Sequence, residues 1–164
     1  MDVTVLVGNP KAQSRTLEAA VNLATLIGGA PPGDVVDVVT LGPDLLGWGT
    51  PAVQEAVDTV RSASVLVVAS PTFKATYTGI LKLFLDQVPA DGLDGVVAVP
   101  LMLGAGPAHA MAPDLLLKPV LVELGATCPT AGLYLPDRNF ADPALIDPWL
   151  ARATRQINPR KQPA

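Results

Sequence analysis

The sequence is poor in the residues that build covalent and metal cross-links. Its 164 residues include a single cysteine, Cys128, and a single histidine, His109. One cysteine cannot form an intrachain disulfide, and together with one histidine it leaves no cluster of soft metal ligands. The sequence therefore excludes a disulfide-stabilised scaffold and argues against a zinc or iron centre.

Positive charge is also scarce. The chain has 11 lysines and arginines against 15 acidic residues, for a net charge of −4, and no basic cluster precedes Arg160-Lys161. A surface that binds nucleic acid needs a basic patch, so that class of partner is not expected.

Long apolar runs are missing although the composition is apolar, with 49% hydrophobic residues and a mean hydropathy of +0.40. The central uncharged stretch, 95–108, contains prolines and glycines and is shorter than the ~20 residues of a membrane-spanning helix. No basic segment precedes the first apolar run, so we expect no signal peptide, no membrane association and a cytoplasmic location. Buried parallel strands, which are apolar on both faces, explain the hydropathy better.

Strand-like and helix-like segments alternate along the chain. Apolar runs rich in β-branched residues predict strands at 3–7, 35–41, 65–69, 96–103 and, more weakly, 133–135. Apolar residues spaced three and four apart predict helices at 16–27, 53–60, 80–88, 115–124 and 143–157. This alternation is typical of a three-layer α/β sandwich with a parallel sheet and helices on both faces. We expect the strand order 2-1-3-4-5, in one domain over residues 1–158 followed by a flexible tail at 159–164.

The expected topology selects three loops for function. In doubly wound sheets, ligands bind beyond the carboxyl ends of the strands, where the strand order reverses. The loops that follow Val7, Ala69 and Leu103 meet that condition.

The first loop, 8–16, contains neither a dinucleotide-binding Gly-x-Gly-x-x-Gly motif nor a Walker sequence. It ends with Ser14 and Thr16 where a helix begins, and hydroxyl groups beside free helical N–H groups form an anion site. Lys11 and Arg15 add positive charge. The alternative is that Ser14 only caps the helix.

The second loop begins with Pro71 and Thr72, a rigid edge whose backbone can hydrogen-bond a flat heterocycle. Phe73 offers a face on which such a heterocycle can stack, and Lys74 offers a positive charge near the heterocycle. The alternative is a proline-stiffened turn in which Phe73 covers the sheet edge.

In the third loop, the small residues Gly104 and Ala105 allow the backbone to approach a ligand closely. His109 follows on the same loop, and it is either a ligand contact or an ordinary surface residue.

The three loops together resemble the NADPH-dependent FMN reductase family, the flavodoxin-like group that includes the alkanesulfonate-linked FMN reductases. The first is similar to the family's G-S-P-R-x-x-S-x-T, with Asn9 and Lys11 in place of serine and arginine. The second is similar to S-P-T-Y-K-x-x-Y-T-G-x-L-K, with Phe73 in place of tyrosine. The third, 104–109, resembles G-G-x-x-x-H and is followed by Leu-Lys-Pro-Val-Leu at 117–121. The resemblance covers residues 3 to about 135.

The resemblance implies a flavodoxin-like FMN-binding domain that passes a hydride from NADPH or NADH to FMN, without a catalytic acid or base. It places the FMN phosphate in the first loop, the ring against the second and the other ring edge near the third. The implied cofactor-binding residues are Asn9, Lys11, Ser14, Arg15, Thr16, Pro71, Thr72, Phe73, Lys74, Gly104, Ala105 and His109.

The resemblance also implies partners. Relatives assemble as homodimers or homotetramers, and two-component members deliver flavin to a flavin-dependent monooxygenase. Leu115 stands where some of those members carry an aromatic residue, which argues against such a delivery here.

Three other functions stay open at this point. They are an FMN-containing NAD(P)H quinone, azo or chromate reductase, a flavodoxin-type electron carrier, and an interaction module without flavin. The modest net charge of −4 argues against the carrier, because flavodoxins are generally more acidic.

Overall fold

The computed structural model describes residues 1–157, and the expected tail at 159–164 lies outside them. Strands and helices alternate along these residues in the predicted order. The strands are β1 (Thr4–Val7), β2 (Asp34–Asp37), β3 (Val65–Pro71), β4 (Val97–Gly104) and β5 (Leu133–Pro136). The α-helices are α1 (Arg15–Gly28), α2 (Pro51–Arg61), α3 (Gly79–Leu85), α4 (Lys118–Glu123) and α5 (Pro143–Ile157).

The five strands form one parallel sheet in the order β2-β1-β3-β4-β5, which confirms the predicted topology. Val7 at the end of β1 lies opposite Ala69 of β3, and Gly104 at the end of β4 lies opposite Pro136 of β5. The carboxyl ends of these strands therefore share one edge of the sheet.

Apolar side chains form a core on each face of the sheet. Successive residues of a strand point to opposite faces, and β3 illustrates this: Leu66 packs on one side and Val67 on the other, both fully buried. The first face is covered by α2, α3 and α4, and the second by α1 and α5. The central strands are buried on both sides, which accounts for the hydropathy of the chain.

The second strand is shorter than predicted. It ends at Asp37 instead of residue 41, and Val38–Leu46 forms 3₁₀ turns that break at Gly42, whose φ is 54°. β1 ends opposite Asp37, so the later residues have no strand to pair with. Positive φ at Gly42 followed by Pro43 is incompatible with an extended strand.

The fourth helix is also not the continuous α-helix predicted for 115–124. Pro113–Leu117 forms a π-helical turn, in which the N–H of Lys118 donates to the Pro113 carbonyl, and α4 begins only after it. Pro119 has no N–H to donate four residues back, and a widened turn accommodates that missing bond.

Within residues 1–157, no helix is both long and apolar enough to cross a membrane.

Candidate functional site

A cavity of about 340 Å³ opens at the carboxyl edge of the sheet, between the loops that follow β1, β3 and β4. Its size lies within the range of ligand pockets, roughly 300–1,000 Å³. The predicted binding residues that line it are Asn9, Lys11, Ser14, Arg15, Thr16, Pro71, Thr72, Phe73, Gly104 and Ala105. The fold thus brings together residues from all three loops.

The first loop is held in place by its own side chains. Ser14 is the N-cap of α1, and its hydroxyl oxygen accepts the N–H of Leu17 at 3.2 Å. The Thr16 hydroxyl accepts the side-chain N–H of Asn9 at 3.0 Å, and the side-chain Oδ1 of Asn9 accepts the backbone N–H of Lys11 at 2.9 Å.

The hydroxyl oxygens of Ser14 and Thr16 each accept a hydrogen bond from the first loop or from α1, so each O–H group remains available as a donor. Ser14 and Thr16 are largely buried, yet both line the cavity. The first N–H groups of α1 have no intrahelical partner, and the helix dipole places partial positive charge there. This end of the cavity is therefore built to accept an anion, and the capping role of Ser14 is compatible with that.

Gln13, immediately before the cap, lies in the left-handed region with φ of 52°. A residue other than glycine rarely adopts this conformation, and such positions concentrate at functional sites. Asp37, at the end of β2, lies behind the loop. Burial raises the pKa of the Asp37 carboxyl, and the backbone N–H groups of Val39 and Gln13 offset part of that rise.

The second loop forms a tight hairpin turn. The Phe73 N–H donates to the Thr76 carbonyl at 2.8 Å, and the Thr76 N–H donates back at 3.2 Å. The two central residues, Lys74 and Ala75, have φ of 51° and 73°. Positive φ at both central positions defines a type I′ turn, which usually requires Asn-Gly or similar residues.

Buried hydroxyls tie the second loop to the first. The Ser70 hydroxyl accepts the N–H of Thr78 at 3.0 Å, and the Thr78 hydroxyl donates to the Gly8 carbonyl at the end of β1. Both side chains are almost fully buried. The relative position of the two loops is therefore fixed by the protein itself.

Thr72 and Phe73 carry groups for which the described part of the chain provides little or no partner. The Thr72 Oγ1 is buried and has no hydrogen-bond partner within residues 1–157. A buried polar atom without a partner is destabilising, and the residue that carries it lines the cavity. The Phe73 side chain is 50% exposed beside it.

In the third loop, Gly104 has a structural role that the sequence did not indicate. A Cβ at this position would collide with the Tyr134 hydroxyl, which donates to the Gly106 carbonyl at 2.7 Å. Gly104 lines the cavity, but the missing side chain accommodates Tyr134 of β5. Close approach of a ligand is not needed to explain this glycine.

Two predicted residues lie outside the cavity. Lys74 occupies the exposed tip of the hairpin turn. His109 is exposed in a short 3₁₀ turn and borders a separate depression of about 530 Å³, which shares Thr72 and Ala105 with the cavity wall.

The structure adds three lining residues that sequence reasoning missed: Gln13, Leu103 and Asp137. Asp137 directly follows β5, and its carboxylate pairs with Arg15 at 2.8 Å. The only available signal was its place after a strand, at the same sheet edge as the other loops.

Comparison with known proteins relates this chain to one family. The model of the NADPH-dependent FMN reductase family matches residues 1–139. "FMN reductase (NADPH)" of Escherichia coli (strain K12) is 39% identical over 95 residues, which are 58% of this chain and 50% of the relative. The matched region thus spans about half the length of that relative.

A longer match is found with "FMN reductase (NADPH)" of Pseudomonas aeruginosa PAO1, which is 28% identical over 98% of this chain and 90% of its own length. Among solved structures, the apo form of an NADH:FMN oxidoreductase (EMOB) superposes with a TM-score of 0.83 at 31% identity. That match covers 96% of this chain and 86% of the other. The resemblance seen in the three loops is confirmed, and the chain belongs to the NADPH-dependent FMN reductase family.

Proposed function

We propose that this chain binds FMN in the cavity at the carboxyl edge of the sheet and catalyses its reduction by NADPH or NADH. One observation carries the proposal: hydroxyl donors at the start of α1 and an unpartnered hydroxyl beside an exposed aromatic ring line the same cavity. A flavin mononucleotide has a phosphate at one end and a flat ring at the other, and it matches both halves. The FMN-binding domain of the proposal comprises residues 1–158.

The phosphate is assigned to the first loop. Ser14 and Thr16 would donate their O–H groups, because each oxygen already accepts a hydrogen bond from the protein. Lys11 and Arg15 would supply positive charge, and Asn9 would orient Thr16. Hydrogen bonds that involve a charged partner are about twice as strong as neutral ones.

The flavin ring is assigned to the second and third loops. Thr72 would satisfy its buried hydroxyl against the polar edge of the ring, and Phe73 would cover the ring face. Pro71 stiffens this wall, and the backbone at Gly104 and Ala105 would contact the opposite edge.

Bound FMN would supply the ring that accepts a hydride from the nicotinamide cofactor. The residues of this chain bind and orient the two reactants, which is the main contribution of a protein to such chemistry. The depression beside His109 adjoins the cavity through Thr72 and Ala105, and it is the proposed approach for the nicotinamide. His109 borders this approach, and Lys74 has no assigned contact.

A titration followed by turnover tests the proposal. Flavin-free protein should take up FMN saturably in calorimetry and bind it at least about tenfold more tightly than riboflavin, because riboflavin lacks the phosphate. The bound protein should then oxidise NADPH or NADH anaerobically, with loss of the visible absorbance of FMN. Both donors belong in the assay, because one relative is named for NADPH and the matching structure for NADH.

The alternatives give different results in the same assay. An electron carrier would bind FMN without oxidising either nicotinamide, and an interaction module would not bind FMN. A quinone reductase would retain one FMN through gel filtration and reduce added quinone in many turnovers.

A homodimer or homotetramer is also proposed. Leu83 on α3 is 40% exposed, and it lines an apolar depression together with Phe73 and Ile80. A second copy covering this surface would shield the ring side of the cavity. Sedimentation showing only monomer at micromolar concentration would contradict this assembly.

The proposal keeps the cytoplasmic location expected from the sequence. Delivery of reduced flavin to a monooxygenase would be supported if an added flavin-dependent monooxygenase turned over with this chain as its only source of reduced FMN.

A further inference from the structure

One wall of the cavity carries an ion pair that the proposed phosphate contacts do not explain. The Arg15 Nη2 lies 2.8 Å from the Asp137 Oδ2, and Nη1 donates to the Asp137 backbone carbonyl at 3.3 Å. Both residues line the cavity. Arg15 is the first residue of α1, so the pair sits at the helix end assigned to the phosphate.

Asp137 competes with a phosphate in two ways. Its carboxylate occupies the Nη2 group of Arg15, which would otherwise be free for an anion. Its negative charge also repels a phosphate dianion bound at the same end of the cavity, and solvent weakens but does not remove that repulsion at this partly exposed pair.

The carboxylate is not needed to hold the backbone in place. The Asp137 N–H donates to the Gly104 carbonyl at 2.9 Å, which extends the pairing of β4 with β5. The Asp137 carbonyl accepts Arg15 independently of the side chain. Since the main chain is fixed by these bonds, the charge of the side chain is free to serve another purpose.

We propose that Asp137 is a specificity-determining residue that weakens the binding of phosphate-bearing flavin, so that FMN exchanges as a substrate instead of being held as a prosthetic group. This inference rests on the proposed function, which makes FMN the ligand. It concerns the balance between FMN and riboflavin, and riboflavin has no charge for Asp137 to repel.

The test compares flavin affinities of Asp137→Asn with those of the wild type. Asparagine keeps the size of the side chain and an oxygen that can accept from Arg15; it removes the charge and replaces the second oxygen with an NH2 group. The variant should bind FMN about three- to tenfold more tightly and release it correspondingly more slowly, as expected for one charge in a partly exposed site. Its affinity for riboflavin should stay within about twofold of the wild type, since no charge acts on that ligand.

Asp142→Asn is the matched control. Asp142 lies five positions further along the chain, accepts the N–H of Ala144 at the start of α5 and does not line the cavity. Its substitution removes the same charge and should leave the ratio of FMN to riboflavin affinity unchanged. Asp137→Ser is a second variant that removes the carboxylate, and it should shift the ratio in the same direction as asparagine.

The outcomes separate the two levels of the proposal. An unchanged ratio in both Asp137 variants, or a selective weakening of FMN binding, would overturn this inference while leaving FMN binding itself established. A wild-type chain that takes up no FMN would overturn the proposed function, and this inference with it.

Discussion

Replacement of Ser14 by alanine removes one hydroxyl that has two separate roles. The first is the cap of α1, where the Ser14 oxygen accepts the Leu17 N–H at 3.2 Å. Loss of a serine N-cap to alanine destabilises a protein by about 1 kcal/mol. For a domain of this size, we expect the melting temperature to fall by about 2–4 °C.

The second role is the proposed contact with the phosphate. A hydrogen bond to a charged group contributes about 1.5–3 kcal/mol, so Ser14→Ala should weaken FMN binding by about ten- to a hundredfold. Riboflavin lacks the phosphate, and its affinity should change little. The effect on binding is therefore expected to exceed the effect on stability.

Two further variants separate these roles. Glycine at an N-cap is only a few tenths of a kcal/mol worse than serine, so Ser14→Gly should keep most of the stability and still lose FMN affinity. Thr50 is the N-cap of α2 but makes no capping hydrogen bond, so Thr50→Ala should change stability by less than about 0.5 kcal/mol and leave FMN binding unchanged. Urea denaturation and calorimetry measure the two quantities. If Ser14→Ala loses stability but binds FMN like the wild type, Ser14 is only a cap and the phosphate does not lie at α1.

Three other predictions concern one residue of the cavity wall and two residues near its loops. Gly104→Ala should lower stability by about 1–3 kcal/mol in urea denaturation because its Cβ collides with Tyr134; adding Tyr134→Phe should recover part of the loss, and no recovery would contradict this cause. Ala75→Gly should stabilise the fold by about 0.5–1 kcal/mol, since glycine tolerates φ of 73°; a lower melting temperature would argue against strain at this turn. Burial raises the pKa of Asp37 above its ordinary 3.8, so the ionised carboxylate destabilises the fold above the raised pKa and has no such effect below 3.8. Asp37→Asn should thus be more stable than the wild type at pH 7 and lose that advantage near pH 3, and a pH-independent difference would refute this.

The architecture was predictable because periodicity and loop placement carry most of the information. Strands buried on both faces read as continuous apolar runs, and the helices between them show three- and four-residue spacing. That alternation leaves few topologies, so the sheet order and the three loops follow from the sequence. The helix start at Ser14 was visible for the same reason, because a hydroxyl residue before an apolar stripe is a local signal.

The features that the sequence did not indicate have physical causes that lie outside local patterns. The apolar run from Val35 continues past Asp37, and nothing within it shows that β1 has already ended. Likewise, Arg15 and Asp137 are 122 positions apart in the chain, and no periodicity relates them. The structural role of Gly104 was not visible because its partner, Tyr134, belongs to a strand that comes later in the sequence.

Two residues of the motif by which the second loop is recognised have a structural role. Ser70 and Thr78 belong to the motif shared with the family, and their buried hydroxyls join that loop to the end of β1. A motif of this kind identifies the scaffold that brings the proposed phosphate site and the proposed ring site to a fixed separation. In our proposal the motif does not determine how tightly the ligand is held, because the charge that opposes the phosphate belongs to Asp137, outside the motif. Relatives with the same motif and a neutral residue at this position should therefore share the binding geometry and retain FMN more tightly.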